Sequence, residues 1–254
     1  PVTLVGTLVL HTAENLSGVV ISQTANPGTP ILYGGSSAVF DVRHETTPMG
    51  AIETMMIDCA CNEVGKYLHL PTQAYISLSD SKELDTQAGL ESGIGAVLAA
   101  LSGINNVSGP GMLDFESCFS LEKLVVDNEI CGMAFRLIAG IEPRQDFPAL
   151  GIFLELLRER HLLISEHTRR HFEKEHFFPG PVIDRAHRSR WERQGRLTLE
   201  QRAGREVERL LNSYEPSDLP ECIKKELEKL MRKEACRHGQ DNLPPRTNCH
   251  EMRG

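Results

Sequence analysis

The first 140 or so residues alternate between long amphipathic segments and short apolar runs. The long segments repeat apolar residues with a helical period, and they predict helices over residues 3–22, 51–68, 85–100 and 120–140. In the first two helices, this period places Val20 and Met56 on the buried face. Asp85 and Ser120 are predicted helix N-caps. The short runs are bounded by glycine, proline or asparagine, and they predict strands over residues 31–33, 74–78 and 105–107.

The order of these elements predicts an α/β fold. Each predicted strand is followed by a helix, and strands recur at about 30 to 40 residues, which is the spacing of right-handed βαβ crossovers in a parallel sheet. A closed eight-stranded barrel needs about 250 residues of such units, whereas the pattern here ends after three strands. Either the sheet is open or half of a barrel is missing.

Charge and composition divide the chain near Pro143. Residues 1–141 carry 5 lysines or arginines against 15 acidic residues, whereas residues 142–254 carry 22 against 20. Gly, Ala, Val, Ser and Thr dominate the first part, as in packed α/β layers, and Arg, Glu, Leu and His dominate the second, as in exposed helices. The predicted organisation is a βα region at 1–141, a helical arm at 142–238 and a disordered tail at 239–254.

Composition also narrows the functional classes. A net charge of −8 with 40% hydrophobic and 24% charged residues is typical of globular proteins and disfavours nucleic acid as a partner. Proline and glycine interrupt the uncharged stretches 15–40 and 92–113, so neither is predicted to span a membrane. The seven cysteines show no CxxC spacing, which favours free thiols in a reducing cytoplasm. The HFEKEH segment lacks the HExxH spacing, and no metal site is predicted.

Several fragments, taken together, resemble the trimethylamine methyltransferase family. They are NPGTPILYG at 26–34, DSK at 80–82, DTQAG at 85–89, GMLD at 111–114, LVVDNEI at 124–130, HTRRHF at 167–172 and DR at 184–185. The resemblance extends from residue 1 to about 211 and corresponds to the C-terminal half of family members. It implies parallel βα units of a TIM-type barrel, with the first units absent from this chain, followed by a helical arm.

The resemblance also implies the chemistry. Family members transfer a methyl group from a methylated amine to the Co(I) of a corrinoid (cobalamin) that a separate, cognate protein carries. The implied enzyme therefore binds no cofactor directly, and its partners are the corrinoid protein, the methylated amine and further copies of itself. Because the methyl group moves as a cation equivalent to cobalt, no side-chain nucleophile is required, and positioning and charge complementarity are the enzyme's main contributions.

One departure from the family concerns the substrate. The trimethylamine-specific branch carries a pyrrolysine just before the segment that matches 79–82, whereas this chain has Ile76, Ser77 and Leu78 there. Leu78 is the expected equivalent position. Family members without pyrrolysine use quaternary amines such as glycine betaine, so the departure favours a substrate of that kind, with trimethylamine as the other choice.

A quaternary ammonium cannot donate hydrogen bonds, so its site needs aromatic faces and carboxylates. In parallel barrels the loops that follow strands carry function, and here these loops are 34–41, 77–82 and 108–116. We expect catalytic roles for Asp80, Lys82 and Asp114, with Lys82 or Asp80 as proton donor to a tertiary amine. The expected substrate-binding residues are Tyr33, Gly34, Ser36, Tyr75, Leu78, Phe115 and Glu116. Phe115 and Glu116 replace the Ser and Gly that are common in the family.

Other interpretations remain open. Tyr33 and Tyr75 can be packing residues, and Asp80 can be a turn residue. The chain can also be a truncated, non-catalytic fragment that only assembles with partners, and its first helix then exposes apolar surface that promotes association. An unrelated α/β enzyme with a phosphate-type ligand is a third hypothesis, but it requires a glycine-rich strand-to-helix turn that the sequence lacks.

Overall fold

A computed structural model gives the structure of residues 1–144, 146–215, 219–240 and 242–243. The chain divides into two compact units, Pro1–Leu211 and Asn212–Gly254. The composition change near Pro143 therefore does not coincide with the boundary of a unit, since part of the predicted helical arm packs within the first one. Residues 241 and 244–254 of the predicted disordered tail lie outside the described residues.

Helices dominate both units. The helices of the first unit are α1 (Leu4–Ala25), α2 (Ile52–Tyr67), α3 (Thr86–Ser102), α4 (Leu121–Ile138), α5 (Leu150–Glu159), α6 (Glu166–Glu175), α7 (Arg188–Arg193) and α8 (Leu199–Asn212). The second unit contains α9 (Glu221–Arg237). The caps predicted from sequence are confirmed, because the Asp85 carboxylate accepts from Ala88 N at 2.9 Å and the Ser120 hydroxyl accepts from Lys123 N at 3.1 Å.

The strands form a parallel sheet and a separate hairpin. The sheet has the order β1-β2-β3, and the hairpin pairs β4 with β5 in antiparallel fashion. The strands are β1 (Tyr33–Gly35), β2 (Thr72–Ala74), β3 (Asn106–Val107), β4 (Met112–Leu113) and β5 (Cys118–Phe119). Helices α2 and α3 connect β1 to β2 and β2 to β3, so the predicted parallel βαβ units are confirmed. The TIM-type barrel stays a prediction, because three parallel strands are common to open sheets and barrels.

The strands differ from the sequence prediction in their bounds and in their number. The first strand is Tyr33–Gly35 and not 31–33, and the second is Thr72–Ala74 and not 74–78, with the chain turning at Ser77 at a φ of 69°. The hairpin of β4 and β5 was not predicted at all, since each of its strands has only two residues. This hairpin follows β3 and brings residues 114–117 back towards the loop after β2, where the amide of Asp114 donates to the carbonyl of Ser81 at 2.9 Å.

Two apolar clusters hold the helices on the sheet. One joins α3 and α4 to the later part of the unit through Ala96, Val126, Ile130, Val182 and Ala203. The other packs α2 and α3 on β2 through Met55, Ala74, Ile76 and Ala99. Val182 and Ala203 of the predicted helical arm therefore pack in the same apolar cluster as α3 and α4.

The exposed face of α1 differs from the predicted one. Val20 is 64% exposed and His11 is buried, with its ring 5.8 Å from that of Tyr33. The helix is also long and apolar enough to cross a membrane, with a mean hydropathy of 1.4 over 18 residues. Its second half, residues 15–25, overlaps the first of the two stretches that were predicted not to span a membrane. Length and composition are weak evidence for a span, because core helices and signal sequences share them.

Candidate functional site

An open cavity of about 840 Å³ lies where the loops after β1 and β2 meet the turn of the β4–β5 hairpin. It is lined by Asp41, His44, Thr46, Pro48, Asp80, Ser81, Lys82, Glu83, Asp85, Gln87 and Phe115. Loops that follow parallel strands emerge at one edge of a sheet, which is the usual position of a functional site in α/β folds. The carboxylates give this cavity an acidic lining.

Asp80 joins the two strand loops. Its Oδ1 accepts from Met49 N at 2.9 Å and its Oδ2 accepts from Gly50 N at 3.0 Å. The side chain is buried, and this burial, with the nearby Glu91 charge, raises the pKa of Asp80 against the lowering effect of the two amides. Asp80 is therefore a structural brace at the edge of the cavity.

Glu91, which sequence reasoning missed, supports Asp80 from α3. Its Oε2 accepts from Asp80 N at 2.9 Å and from the Ser79 hydroxyl at 2.6 Å, and its Oε1 accepts from Gln87 Nε2 at 2.9 Å. The spacing of Gln87 and Glu91 by four residues on a helix is a signal that sequence inspection can use. Glu91 thus links the loop after β2 to the helix that follows it.

Lys82 brings the predicted catalytic residues together. Its Nζ donates to the carbonyl of Asp80 at 2.8 Å, lies 3.5 Å from Asp114 Oδ1, and stands 4.2 Å from the centre of the Phe115 ring. An ammonium group therefore sits over an aromatic face and beside a carboxylate. The Lys82 side chain is 62% exposed, so it is free to move towards solvent.

The turn that carries these groups has an unusual backbone. Asp114, Phe115 and Glu116 have φ values of 49°, 54° and 70°, in the left-handed region that residues other than glycine rarely adopt. Each such residue costs about 1–3 kcal/mol unless its surroundings hold it. Ser117 N donates to Asp114 O at 2.9 Å and closes the turn. Phe115 and Glu116, which replace the Ser and Gly common in the family, thus lie in a strained turn.

A buried ion pair in α4 anchors this hairpin. Lys123 and Asp127 are fully buried, with Nζ 2.5 Å from Asp127 Oδ2 and 2.7 Å from the Ser92 hydroxyl. The same Asp127 Oδ2 accepts from Gly111 N at 2.7 Å, just before β4. The sequence predicted a helix here, and LVVDNEI at 124–130 is one of the family-like fragments, but the ion pair was not predicted. The sequence signal that could have predicted this ion pair is the spacing of Lys123 and Asp127 by four residues among apolar positions of the helix.

Glu116 lies near a second carboxyl group that sequence reasoning missed. Asp58 in α2 is 5% exposed, and burial together with the Glu116 charge raises the pKa of Asp58 to about 8. Burial also raises the pKa of Glu116. Asp58 Oδ2 and Glu116 Oε1 are buried and have no hydrogen-bond partner among the residues that the structure describes. At neutral pH, Asp58 is therefore largely protonated.

The remaining predicted site residues lie elsewhere. Tyr33, Gly34 and Ser36 line a separate cavity of about 540 Å³ beside α1. Tyr33 is buried in the core, and Gly34 passes so close to Gln73 that a Cβ would lie 2.1 Å from its carbonyl oxygen. Tyr75 is half-buried and Leu78 is fully buried, and neither lines the acidic cavity.

No cysteine is among the described residues that line the acidic cavity. Cys61 is buried, and burial raises its pKa to about 12, whereas Cys59 is half-buried. Within the described residues, no group of three or more His, Cys, Asp or Glu side chains is arranged to hold a metal ion.

Comparison with known proteins identifies the family. The sequence profile described as trimethylamine methyltransferase (MTTB) matches residues 1–238. The trimethylamine methyltransferase MttB of Desulfitobacterium hafniense is 32% identical over 87% of this chain and 44% of its own length. A glycine betaine methyltransferase from another strain of that species is 33% identical over 86% of this chain and 46% of its own. MttB of Methanosarcina barkeri is 33% identical over 92% of this chain and 47% of its own.

The chain spans about half the length of the curated relatives it matches. The family resemblance inferred from the sequence fragments is confirmed, since the profile covers both the βα units and the helical segments. This chain belongs to the trimethylamine methyltransferase (MTTB) family.

Proposed function

We propose that this chain is the methyl-donor-binding part of an amine methyltransferase, which transfers a methyl group from a quaternary amine or trimethylamine to a corrinoid on a partner protein. Relatives named as trimethylamine methyltransferases and as a glycine betaine methyltransferase support this proposal. The observation that carries it is the Lys82 ammonium, which stands over Phe115 and beside Asp114.

Lys82 acts as an internal stand-in for a cationic substrate. A methylated ammonium has the same charge and fits the same arrangement of an aromatic face with a carboxylate at its edge. Each cation–π contact of this kind contributes about 0.5–2 kcal/mol. Because a quaternary nitrogen has no N–H, it gains nothing from the carbonyl of Asp80 that Lys82 uses. The substrate therefore displaces Lys82 towards solvent and takes its place between Phe115 and Asp114.

The cavity suits a reaction whose reactive metal arrives from outside. Its lining includes four carboxylates, one lysine, one histidine and the ring of Phe115, and it is open. When carried by its own protein, the reduced corrinoid supplies the cobalt nucleophile for the methyl group. This chain orients the amine, and its carboxylates balance the positive charge on nitrogen before transfer. The loops joined by Asp80 keep these groups in position.

A quaternary amine is the favoured substrate. After losing a methyl group it leaves as a neutral tertiary amine and needs no proton. A neutral tertiary amine needs a proton on the leaving nitrogen, and Lys82 is the nearest candidate donor in the cavity. Leu78 stays the expected equivalent of the pyrrolysine position, and this departure from the trimethylamine branch supports the quaternary substrate.

The proposal extends to assembly and location. Val5, Val9, Val20 and Ile21 of α1 are all more than half exposed and form apolar surface suited to a further subunit. We therefore propose a homo-oligomer that acts with its cognate corrinoid protein in the cytoplasm.

The test is methylation of a Co(I) corrinoid protein, followed by its absorbance change. The intact gene product that contains this chain is offered glycine betaine and then trimethylamine. Turnover with glycine betaine is expected, and Asp114→Asn is expected to reduce it strongly. Glu63→Gln is the matched control, because it removes one negative charge from an exposed position of α2. Absence of turnover with every methylated amine, from a folded protein, would overturn the proposal in favour of a non-catalytic assembly role.

A further inference from the structure

A second cavity, of about 760 Å³, lies within the first compact unit among the segment 181–186, α7 and α8. None of its lining residues belongs to the acidic cavity described above. Its charged lining residues are Asp184, Arg185, Arg190, Arg202, Arg205, Glu206 and Arg209. Five arginines against two carboxylates make it a basic cavity, although the whole chain has a net charge of −8.

The carboxylates of this cavity are already engaged. Asp184 Oδ1 accepts from Ala186 N at 2.7 Å. Glu206 pairs with Arg209 at 2.6 Å, and this arginine lowers the pKa of Glu206 below its usual value. Both oxygens of Glu206 are therefore committed to Arg209, whereas Asp184 is tied to its own loop and keeps its negative charge.

The arginines fall into two groups. Arg202 braces the wall, since its Nε donates to Val182 O at 2.7 Å and its Nη1 donates to Leu197 O at 2.6 Å. By contrast, the guanidinium groups of Arg185, Arg190 and Arg205 make no hydrogen bond or ion pair with any residue that the structure describes. Three uncompensated positive charges thus surround one cavity, and such a field attracts anions.

Trp191 provides an apolar wall beside these charges. It is the only tryptophan of the sequence and is half-buried, with its indole Nε1 donating to Leu197 O at 3.2 Å. Pro181 and Ile183 extend this wall. The indole is therefore held in place while it lines the cavity, and a fixed indole offers a surface on which a planar ring can stack.

We propose that this basic cavity binds a phosphorylated organic anion with a planar ring, such as a nucleoside diphosphate. A guanidinium group can donate two parallel hydrogen bonds to the oxygens of a phosphate. Because the cavity has few carboxylates, these donors are available to a ligand. The volume lies within the usual range of about 300–1,000 Å³ for small-molecule sites. The phosphoryl groups contact Arg185, Arg190 and Arg205, and the ring contacts Trp191.

Because Trp191 is the sole tryptophan, its fluorescence reports directly on this cavity. The probes are ADP, inorganic phosphate and adenosine, titrated separately into the purified protein with excitation at a wavelength that ADP does not absorb. ADP is expected to produce a saturable change, phosphate a weaker competition with ADP, and adenosine no change. Arg190→Gln and Arg205→Gln are each expected to weaken ADP binding by about tenfold, as loss of a charge-assisted hydrogen bond does.

Arg188→Gln is the matched control. Arg188 lies on the same helix as Arg190, outside the cavity, and its Nε is 3.1 Å from Glu192. This variant is expected to bind ADP as the parent protein does. Calorimetry repeats each titration, so that a fluorescence-silent complex is also detected. No ADP binding by either method, adenosine binding as tight as ADP binding, or equal affinity in the Arg190→Gln and Arg205→Gln variants would overturn the proposal.

Discussion

The acidic and the basic cavity have similar volumes, about 840 and 760 Å³, but they are built from different parts of the chain. The acidic one is walled by loops that follow parallel strands, and the basic one by two helices and their connections. Each has a charge opposite to that of the group we propose it binds, which is a quaternary ammonium in the acidic cavity and a phosphate in the basic one. The net charge of −8 is therefore a poor guide to ligands, because acidic and basic side chains cluster in different parts of the same chain.

The two cavities also differ in how their charges respond to pH. In the acidic cavity, burial raises the pKa of Asp80. Outside its lining, burial raises the pKa of Glu116 in the hairpin turn, and burial with the Glu116 charge brings the pKa of Asp58 in α2 to about 8. Arginine side chains keep their charge at every pH at which proteins are stable. Changes of pH or of buried charge should therefore perturb the acidic region more than the basic cavity.

The largest expected effect follows from breaking the buried ion pair. Lys123→Met leaves Asp127 buried without its cationic partner, which costs about 3–5 kcal/mol of unfolding free energy. Urea denaturation measures this loss. The exposed Lys174→Met in α6 is the control and is expected to stay within about 0.5 kcal/mol of the parent protein. A loss below about 1 kcal/mol in Lys123→Met would show that the pair does not anchor the hairpin.

The second effect is a pH dependence caused by Asp58. Its pKa of about 8 in the folded chain exceeds the usual value of 3.8, so the folded state holds a proton that the unfolded state releases. Between pH 5 and 7, stability should therefore fall as pH rises, by about 1.4 kcal/mol per pH unit. The loss should level off above pH 8.

Asp58→Asn removes this titration while it keeps the size of the side chain. Urea denaturation at pH 5, 6 and 7 should give a slope that is smaller in the variant by up to about 1.4 kcal/mol per pH unit. Fluorescence of Trp191 in the folded protein should change little over this range, because arginines surround it. Identical slopes in the two proteins would mean that Asp58 is ionised in the folded state.

The sequence predicted the parallel sheet and the main grouping of the site for one physical reason. Regular alternation of helix and strand forces the loops after the strands to one edge, so that Asp80 and Lys82 had to lie near the segment that follows the third strand. The contact of Lys82 with Asp114 and Phe115 agrees with this prediction. Tyr33 failed to join them because it lies within a strand, and its side chain points into the core.

Buried polar groups are what the hydrophobic period could not reveal. That period places Met56 inward, yet Met56 is 52% exposed, whereas Thr54, Asp58 and Asn62 of the same helix are buried. Hydrogen bonds to other segments compensate the burial of Thr54 and Asn62: Thr54 Oγ1 accepts from Val39 N at 3.3 Å, and Asn62 Nδ2 donates to Ser102 O at 2.7 Å. Such partners are distant along the chain, and one amino-acid sequence by itself does not indicate which residues pair.

A smaller stability effect is expected from the brace between the strand loops. Asp80→Ala leaves the amides of Met49 and Gly50 without their acceptor, which costs about 1–3 kcal/mol. Amine turnover should also be lost, because the loop after β1 is no longer hydrogen-bonded to the loop after β2. ADP binding at the basic cavity should persist. Glu83→Gln, an exposed residue of the same cavity, is the control for charge alone.

The smallest effect is expected from Lys82→Ala, and it separates the two substrates. Removing the ammonium that covers Phe115 frees the place proposed for the amine, so the KM for glycine betaine should fall by about two- to fivefold, the equivalent of a cation–π contact of about 0.5–1 kcal/mol. Its kcat should stay unchanged, because a quaternary amine needs no proton. Turnover of trimethylamine, where measurable, should fall, since the variant lacks the proton donor. A higher KM for glycine betaine would instead mean that Lys82 supports the site by holding Asp114 in place. Lys82 would then be a structural cation of the acidic cavity, as Arg202, which donates to Val182 O, is of the basic cavity.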